Sequence, residues 1–210
     1  MIYEMRTYTT PPNQAGKFLE IYGDAYETYR KKFSEMAGCW YTEIGPLNQV
    51  ITIWPYKNLA ERDKIRAAAS KEEGWPPHLG QLTTGGTVEV FAPFSFSPLL
   101  EPGNHGPIYE MRSYQVVPGT YDDLIAGWEK GLPERTSRSP ISVLMLSDLG
   151  VSHKLVHIWP YQTFDQRAEV RGNAVADKIW PPSIIHVPKQ PTLTTQENLI
   201  MLPAKFSPMQ

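Results

Sequence analysis

The sequence holds one cysteine, Cys39, so no internal disulfide can form. That usage suits a reducing, cytoplasmic setting. No apolar run approaches the roughly 20 residues a membrane span needs, so no membrane partner is expected. The opening residues read straight into a strand, without the basic and apolar regions of a signal peptide. A formal net charge of −2 leaves no basic footprint for nucleic acid. Paired-cysteine and His-x3-His spacings are missing, and no metal site is expected. His78, His105, His153 and His186 fall in or near loop signals at no shared spacing. There is no G-x-S-x-G elbow, P-loop or dinucleotide fingerprint.

Proline and aromatic residues are abundant instead. Twenty prolines accompany six Trp, eleven Tyr and seven Phe, a mixture that reads as a packed fold punctuated by turns. The heptad IYEMRTY at 2–8 returns as IYEMRSY at 108–114, a shift of 106 positions. IWPY, WPP, LTT and FSP also recur in the same order. Trp54 to Trp75 and Trp159 to Trp180 are both 21 residues apart, and Arg62/Arg66 and Arg167/Arg171 follow Trp54 and Trp159 by the same 8 and 12 residues. Identity, order and spacing together indicate a tandem duplication. Residues 1–98 form one repeat, 99–107 a Pro- and Gly-rich linker, and 108–208 the second repeat. The second repeat carries six additional residues within SIIHVPKQPT, expected to be a loop or an edge.

Each repeat reads as β-α-β-β-α-β. Strands are expected near 2–9, 37–45, 48–55 and 87–95, with counterparts from 108, at 141–149, 152–159 and 196–204. Phe18, Ile21, Tyr22, Ala25, Tyr29 and Phe33 share one helical face, as do Tyr121, Leu124, Ile125, Trp128 and Leu132. Thr120 with Asp123 suggests an N-cap, and Asn58 with Glu61 and Thr163 with Gln166 suggest capping boxes. This is the ferredoxin-like order, an α+β class with both helices on one sheet face. The bare faces must find partners. The two antiparallel sheets are therefore expected to pack face to face as a pseudo-twofold barrel.

The doubled Y-E-M-R-x-Y heptad, the Gly16-Lys17 and Pro118-Gly119 steps, VHIWPY at 156–161 and the Arg-x3-Arg helices resemble the NIPSNAP family across nearly the whole chain. The resemblance implies a dimeric α/β-barrel fold. It implies little chemistry, because the family is mostly of unassigned function. More distant members of that superfamily include cofactor-free and haem-dependent oxygenases and lactone isomerases. Haem enters only through that analogy, and no cofactor is otherwise expected. The first repeat departs from the family pattern in lacking Pro-Gly before its helix.

Glu4 and Arg6 share a strand face, as do Glu110 and Arg112. One reading is a structural ion-pair network with Arg62/Arg66 and Arg167/Arg171. Another is an anion clamp, in which Arg6, Arg112 and the helix arginines hold a carboxylate or phosphate. Trp54 and Trp159 are packing anchors or walls of a ligand pocket. His157, opposite Thr52 in the first repeat, is a core histidine or the one candidate for a catalytic base or haem ligand. The expected function is binding of a small anionic or aromatic molecule between helices and sheet. The alternatives are an oxygenase- or isomerase-like enzyme and a non-enzymatic assembly module that acts as a homo-oligomer.

Overall fold

Alternation along the opening strand sends odd and even residues to opposite sides, and that split organises the molecule. The computed structural model describes residues 1–210. The first repeat runs β1 (Ile2–Thr9), α1 (Ala15–Ala25) continued by a π turn (Tyr26–Arg30), β2 (Gly38–Ile44), β3 (Gln49–Tyr56), α2 (Leu59–Ala69) and β4 (Gly85–Pro93). The second runs β5 (Ile108–Val116), α3 (Tyr121–Thr136), β6 (Val143–Leu149), β7 (Lys154–Tyr161), α4 (Phe164–Ala176), the short α5 (Pro182–Ile185) and β8 (Leu193–Pro203).

The two sheets do face each other, and they also join at their edges. The strand order is β1-β3-β2-β8-β5-β7-β6-β4, closed on itself. β2 pairs antiparallel with β8, and β4 with β6, so each repeat supplies the edge partner of the other. Closure leaves no free sheet edge, which a pair of stacked sheets would have kept. Tyr3, Met5, Ile51, Ile53, Phe91, Tyr109, Met111, Val156, Ile158 and Met201 fill the barrel interior. The linker and C-terminus close one end: Leu100 N donates to Tyr3 Oη at 3.0 Å, and Tyr109 Oη donates to the Gln210 carbonyl at 3.2 Å. The opposite end carries the β2–β3 and β6–β7 turns, where Gly45 (φ 108°) and Gly150 (φ 113°) take left-handed geometry.

The even-numbered side of β1 faces the helices. Two further clusters lie there, one per repeat, around Trp54 and Trp159. Both capping boxes form, with Glu61 N donating to Asn58 Oδ1 at 2.9 Å and Gln166 N to Thr163 Oγ1 at 3.0 Å. Thr120 does not cap α3. Its hydroxyl instead donates to the Val117 carbonyl at 2.8 Å, and Asp123 lies against His186 at 3.2 Å. α5 opens on Pro182 of the repeated WPP, runs into the inserted stretch and packs on α3 where Gly127 and Gly131 leave room.

The first helix departs from its expected face. The 3.6-residue stripe would bury Tyr29 and Phe33, yet Tyr29 is exposed while Tyr26 and Arg30 are buried. A π turn at 26–30 is the cause, because it accommodates one extra residue and rotates the rest of the helix. Before it, Tyr22 corresponds to Trp128, each ring lying against Trp75 or Trp180 at 5.4 and 4.9 Å. After it, Arg30 corresponds to Arg135. The repeat spacing thus falls from 106 to 105 inside this helix.

Candidate functional site

Strand alternation places Glu4 and Arg6 side by side beneath α2, and α2 sends Arg62 and Arg66 back toward them. Arg6 Nε donates to Glu4 Oε1 at 2.5 Å, Arg66 Nη1 to the same oxygen at 3.2 Å, and Arg62 Nε to Oε2. Burial alone would raise the Glu4 pKa, but Arg6, Arg66 and Arg62 hold it below the usual carboxylate value. The second repeat builds the same knot. Arg112 Nη1, Arg167 Nη2 and Asn198 Nδ2 donate to Glu110 Oε1 at 2.7, 2.6 and 3.1 Å, and Arg171 Nη1 lies 3.5 Å from Oε2. Burial again pushes upward and loses to Arg167, Arg171 and Arg112, which set Glu110 at about 2. Both carboxylates are fully buried. The ion-pair reading of these residues is therefore what the geometry displays at Glu4 and Glu110.

A further pair of arginines escaped the sequence reading. Arg30 and Arg135 are 3% and 1% exposed. Their guanidiniums lie 4.4 Å from the Trp54 ring and 4.2 Å from the Trp159 ring. Each also donates to a tyrosine hydroxyl, Tyr56 or Tyr161, at 3.2 Å, and neither has a carboxylate partner. Burial is the main influence on Arg30 and pulls its pKa down; the Tyr56 and Tyr22 phenols oppose it, and Arg66 adds repulsion. The recurrence of Arg at the same distance before each IWPY was the available signal. The helical period pointed elsewhere because of the π turn.

Around Arg30 the first repeat keeps an open cleft of about 460 Å³. Arg6, Arg30 and Arg66 line it, with no Asp or Glu among the lining residues. Trp54, Trp75, Tyr8, Tyr22 and Tyr56 supply aromatic walls, and the segment through Pro76, Pro77, Leu79 and Thr83 forms the rim. The peptide bond between Trp75 and Pro76 is cis, as is that between Trp180 and Pro181. Of the residues singled out from sequence, Arg6, Arg66 and Trp54 meet at this cleft. Arg62 instead divides itself between Glu4 and Asp63, the latter at 2.7 Å. Arg112, Arg167 and Arg171 close around Glu110, and Trp159 packs in the second cluster.

The second repeat fills the equivalent region with side chains. The His157 ring lies between Tyr114 at 4.8 Å and Trp128 at 4.7 Å, and Trp128 meets Trp180. His157 Nδ1 accepts from Trp159 Nε1 at 2.6 Å, where Thr52 Oγ1 accepts from Trp54 Nε1 at 3.1 Å. The proton therefore sits on His157 Nε2, which is buried without a partner. Burial, with Arg112 next, pushes the His157 pKa well below the histidine value. The ring offers no open face to a substrate or a haem iron. His157 is enclosed in the core of the second repeat, 1% exposed.

Comparison with known proteins agrees with this architecture. The family model described as NIPSNAP matches residues 3–98 and 109–208. A NipSnap homologue from Dictyostelium discoideum is 26% identical over 98% of this chain and 88% of its own length. The human NipSnap homolog 3B is 28% identical over 99% and 85%. A solved structure from Lactobacillus acidophilus, named as a "putative monooxygenase", superposes over 97% of this chain and 94% of its own with a TM-score of 0.70. At 8% identity it shows a shared fold and nothing about chemistry. No helix of the chain is long and apolar enough to cross a membrane.

Proposed function

The chain belongs to the NIPSNAP family, and from that premise we propose that its first repeat binds one small, flat, anionic molecule per chain. The observation that carries this is the cleft holding Arg6, Arg30 and Arg66 with no lining carboxylate. Arg6 and Arg66 already pair with Glu4, so Arg30 is the buried cation without an anion, and a bound carboxylate or phosphate would offset its cost. Each charge-assisted hydrogen bond it gained would contribute about 1.5–3 kcal/mol. Trp54, Trp75 and Tyr22 give a flat ring faces to lie against. The cleft volume falls within the roughly 300–1,000 Å³ of small-molecule sites. The second repeat has spent the equivalent space on Trp128, His157 and the α5 insert, so it serves as the scaffold that closes the barrel.

Binding is favoured over turnover by the chemistry of the cleft. Its guanidinium, phenol and indole groups hold and orient anions. His157, the candidate base or ligand for an oxygenase- or isomerase-like reaction, lies in the other repeat, enclosed by Tyr114 and Trp128.

Calorimetric titration with naphthoate, the matching naphthyl alcohol and inorganic phosphate tests the proposal. Naphthoate should bind at least about tenfold more tightly than the alcohol, and Arg66→Met should weaken it by a similar factor. Arg66 is partly exposed, so this variant should fold normally. Equal binding of acid and alcohol, or no effect of Arg66→Met, would remove the anion-clamp reading.

A further inference from the structure

The barrel interior is apolar except near its open end, where two charges meet. Glu89 on β4 points inward beside Met5 and is 5% exposed. Lys154 on β7 reaches it, with Nζ 2.8 Å from Oε2. Glu89 Oε1 is buried with no hydrogen-bond partner. The fold does not require this pair. Met5 pairs with Glu89, whereas its counterpart Met111 pairs with Leu199. Lys154 likewise stands where the first repeat has Gln49. The other repeat thus builds the same positions with an apolar residue and a neutral amide.

Both charged groups line a cavity of about 590 Å³ that opens between the hairpin turns at Pro46 and Gly150. Thr7, Thr87 and Ser113 offer hydroxyls toward the mouth, and Met5, Met111 and Leu199 give it an apolar wall. An ion pair in a barrel core contributes less stability than apolar packing, so its retention beside an unmet acceptor calls for a ligand. The pair itself is neutral, and the exposed Glu197 carboxylate is the one further charge lining the cavity. A simple cation would be repelled by Lys154 and a simple anion by Glu89. A molecule carrying both charges on neighbouring atoms matches both groups together.

We propose that this barrel mouth is a second binding site, independent of the helix–sheet cleft, for a free amino acid with a medium-sized apolar side chain. The ligand ammonium donates to Glu89 Oε1, its carboxylate accepts from Lys154 Nζ, and its side chain lies on Met5, Met111 and Leu199.

The test is calorimetric titration of the full chain with leucine, isoamylamine and isocaproate, which share one apolar body and differ in charge. Leucine should bind saturably at one per chain, with either singly charged analogue at least about tenfold weaker. Glu89→Gln keeps the shape and should weaken leucine by about tenfold or more. The double variant Glu89→Leu with Lys154→Gln installs the other repeat's residues and should fold while losing leucine altogether; Arg66→Met should leave leucine binding unchanged. No saturable leucine binding up to about 10 mM would overturn the proposal. So would amine binding as tight as leucine, or leucine binding that survives Glu89→Gln.

Discussion

Replacing Glu110 by Gln should cost much of the chain's stability, and the loss should fade in acid. Glu110 is fully buried and accepts from Arg112, Arg167 and Asn198, with Arg171 close by. Its folded-state pKa of about 2 lies below the ordinary 4.5. At about 1.4 kcal/mol per pH unit, that difference is worth roughly 3 kcal/mol. The direction comes from linkage. The unfolded chain takes up the proton near the ordinary value and the folded chain only near the depressed one. The stabilisation is therefore complete at neutral pH and is lost as pH falls between those two values. Mutational experience with buried ion pairs agrees, since removing one partner costs about 3–5 kcal/mol. Urea unfolding followed by tryptophan fluorescence should show Glu110→Gln about 3 kcal/mol less stable at pH 7 and only about 1 kcal/mol less stable at pH 3. A deficit below about 1 kcal/mol at pH 7, or one that does not shrink in acid, would refute the assignment of Glu110 as an ionised hub.

The same geometry sets other outcomes. His157 is buried neutral, so the unfolded state gains protons first as pH falls below about 6.5; His157→Asn, whose Oδ1 can accept from Trp159, should lessen the stability lost between pH 7.5 and 5.5. Urea midpoints of both proteins at pH 7.5 and 5.5 check this, and parallel pH profiles would contradict it. Asn58→Ala and Thr163→Ala should each cost about 1 kcal/mol in thermal melts, because each removes the acceptor of a cap hydrogen bond. A fragment of residues 1–98 leaves the β2 and β4 edges without their β8 and β6 partners; light scattering should find it as a homodimer, and a folded monomer would count against closure by edge pairing.

Much of this structure was legible because it repeats. The IYEMR heptads, both capping boxes and the Arg-x3-Arg helices recur at matching intervals, so alternation and helical period fixed their faces twice over. The partnership of Glu4 with Arg62 and Arg66 was legible too, since a charge on a sheet face under a helix needs an opposite charge. Two features lay beyond such rules. Arg30 fell off the expected stripe because the π turn at 26–30 rotates the helix by one residue, and only the change in spacing from 106 to 105 recorded it. The open cleft in one repeat and the filled space in the other depend on how Thr52 or His157, Tyr22 or Trp128, and the insert with α5 pack together. Those are volumes, and a pattern of residue types does not sum them.

Native mass spectrometry of the intact chain titrated with naphthoate, run beside Arg30→Met, counts the anions that the cleft holds. The cleft should take up one naphthoate per chain and lose it in the Arg30→Met protein while the barrel stays folded by circular dichroism. Two equivalents per chain, or one that persists without the Arg30 guanidinium, would contradict it.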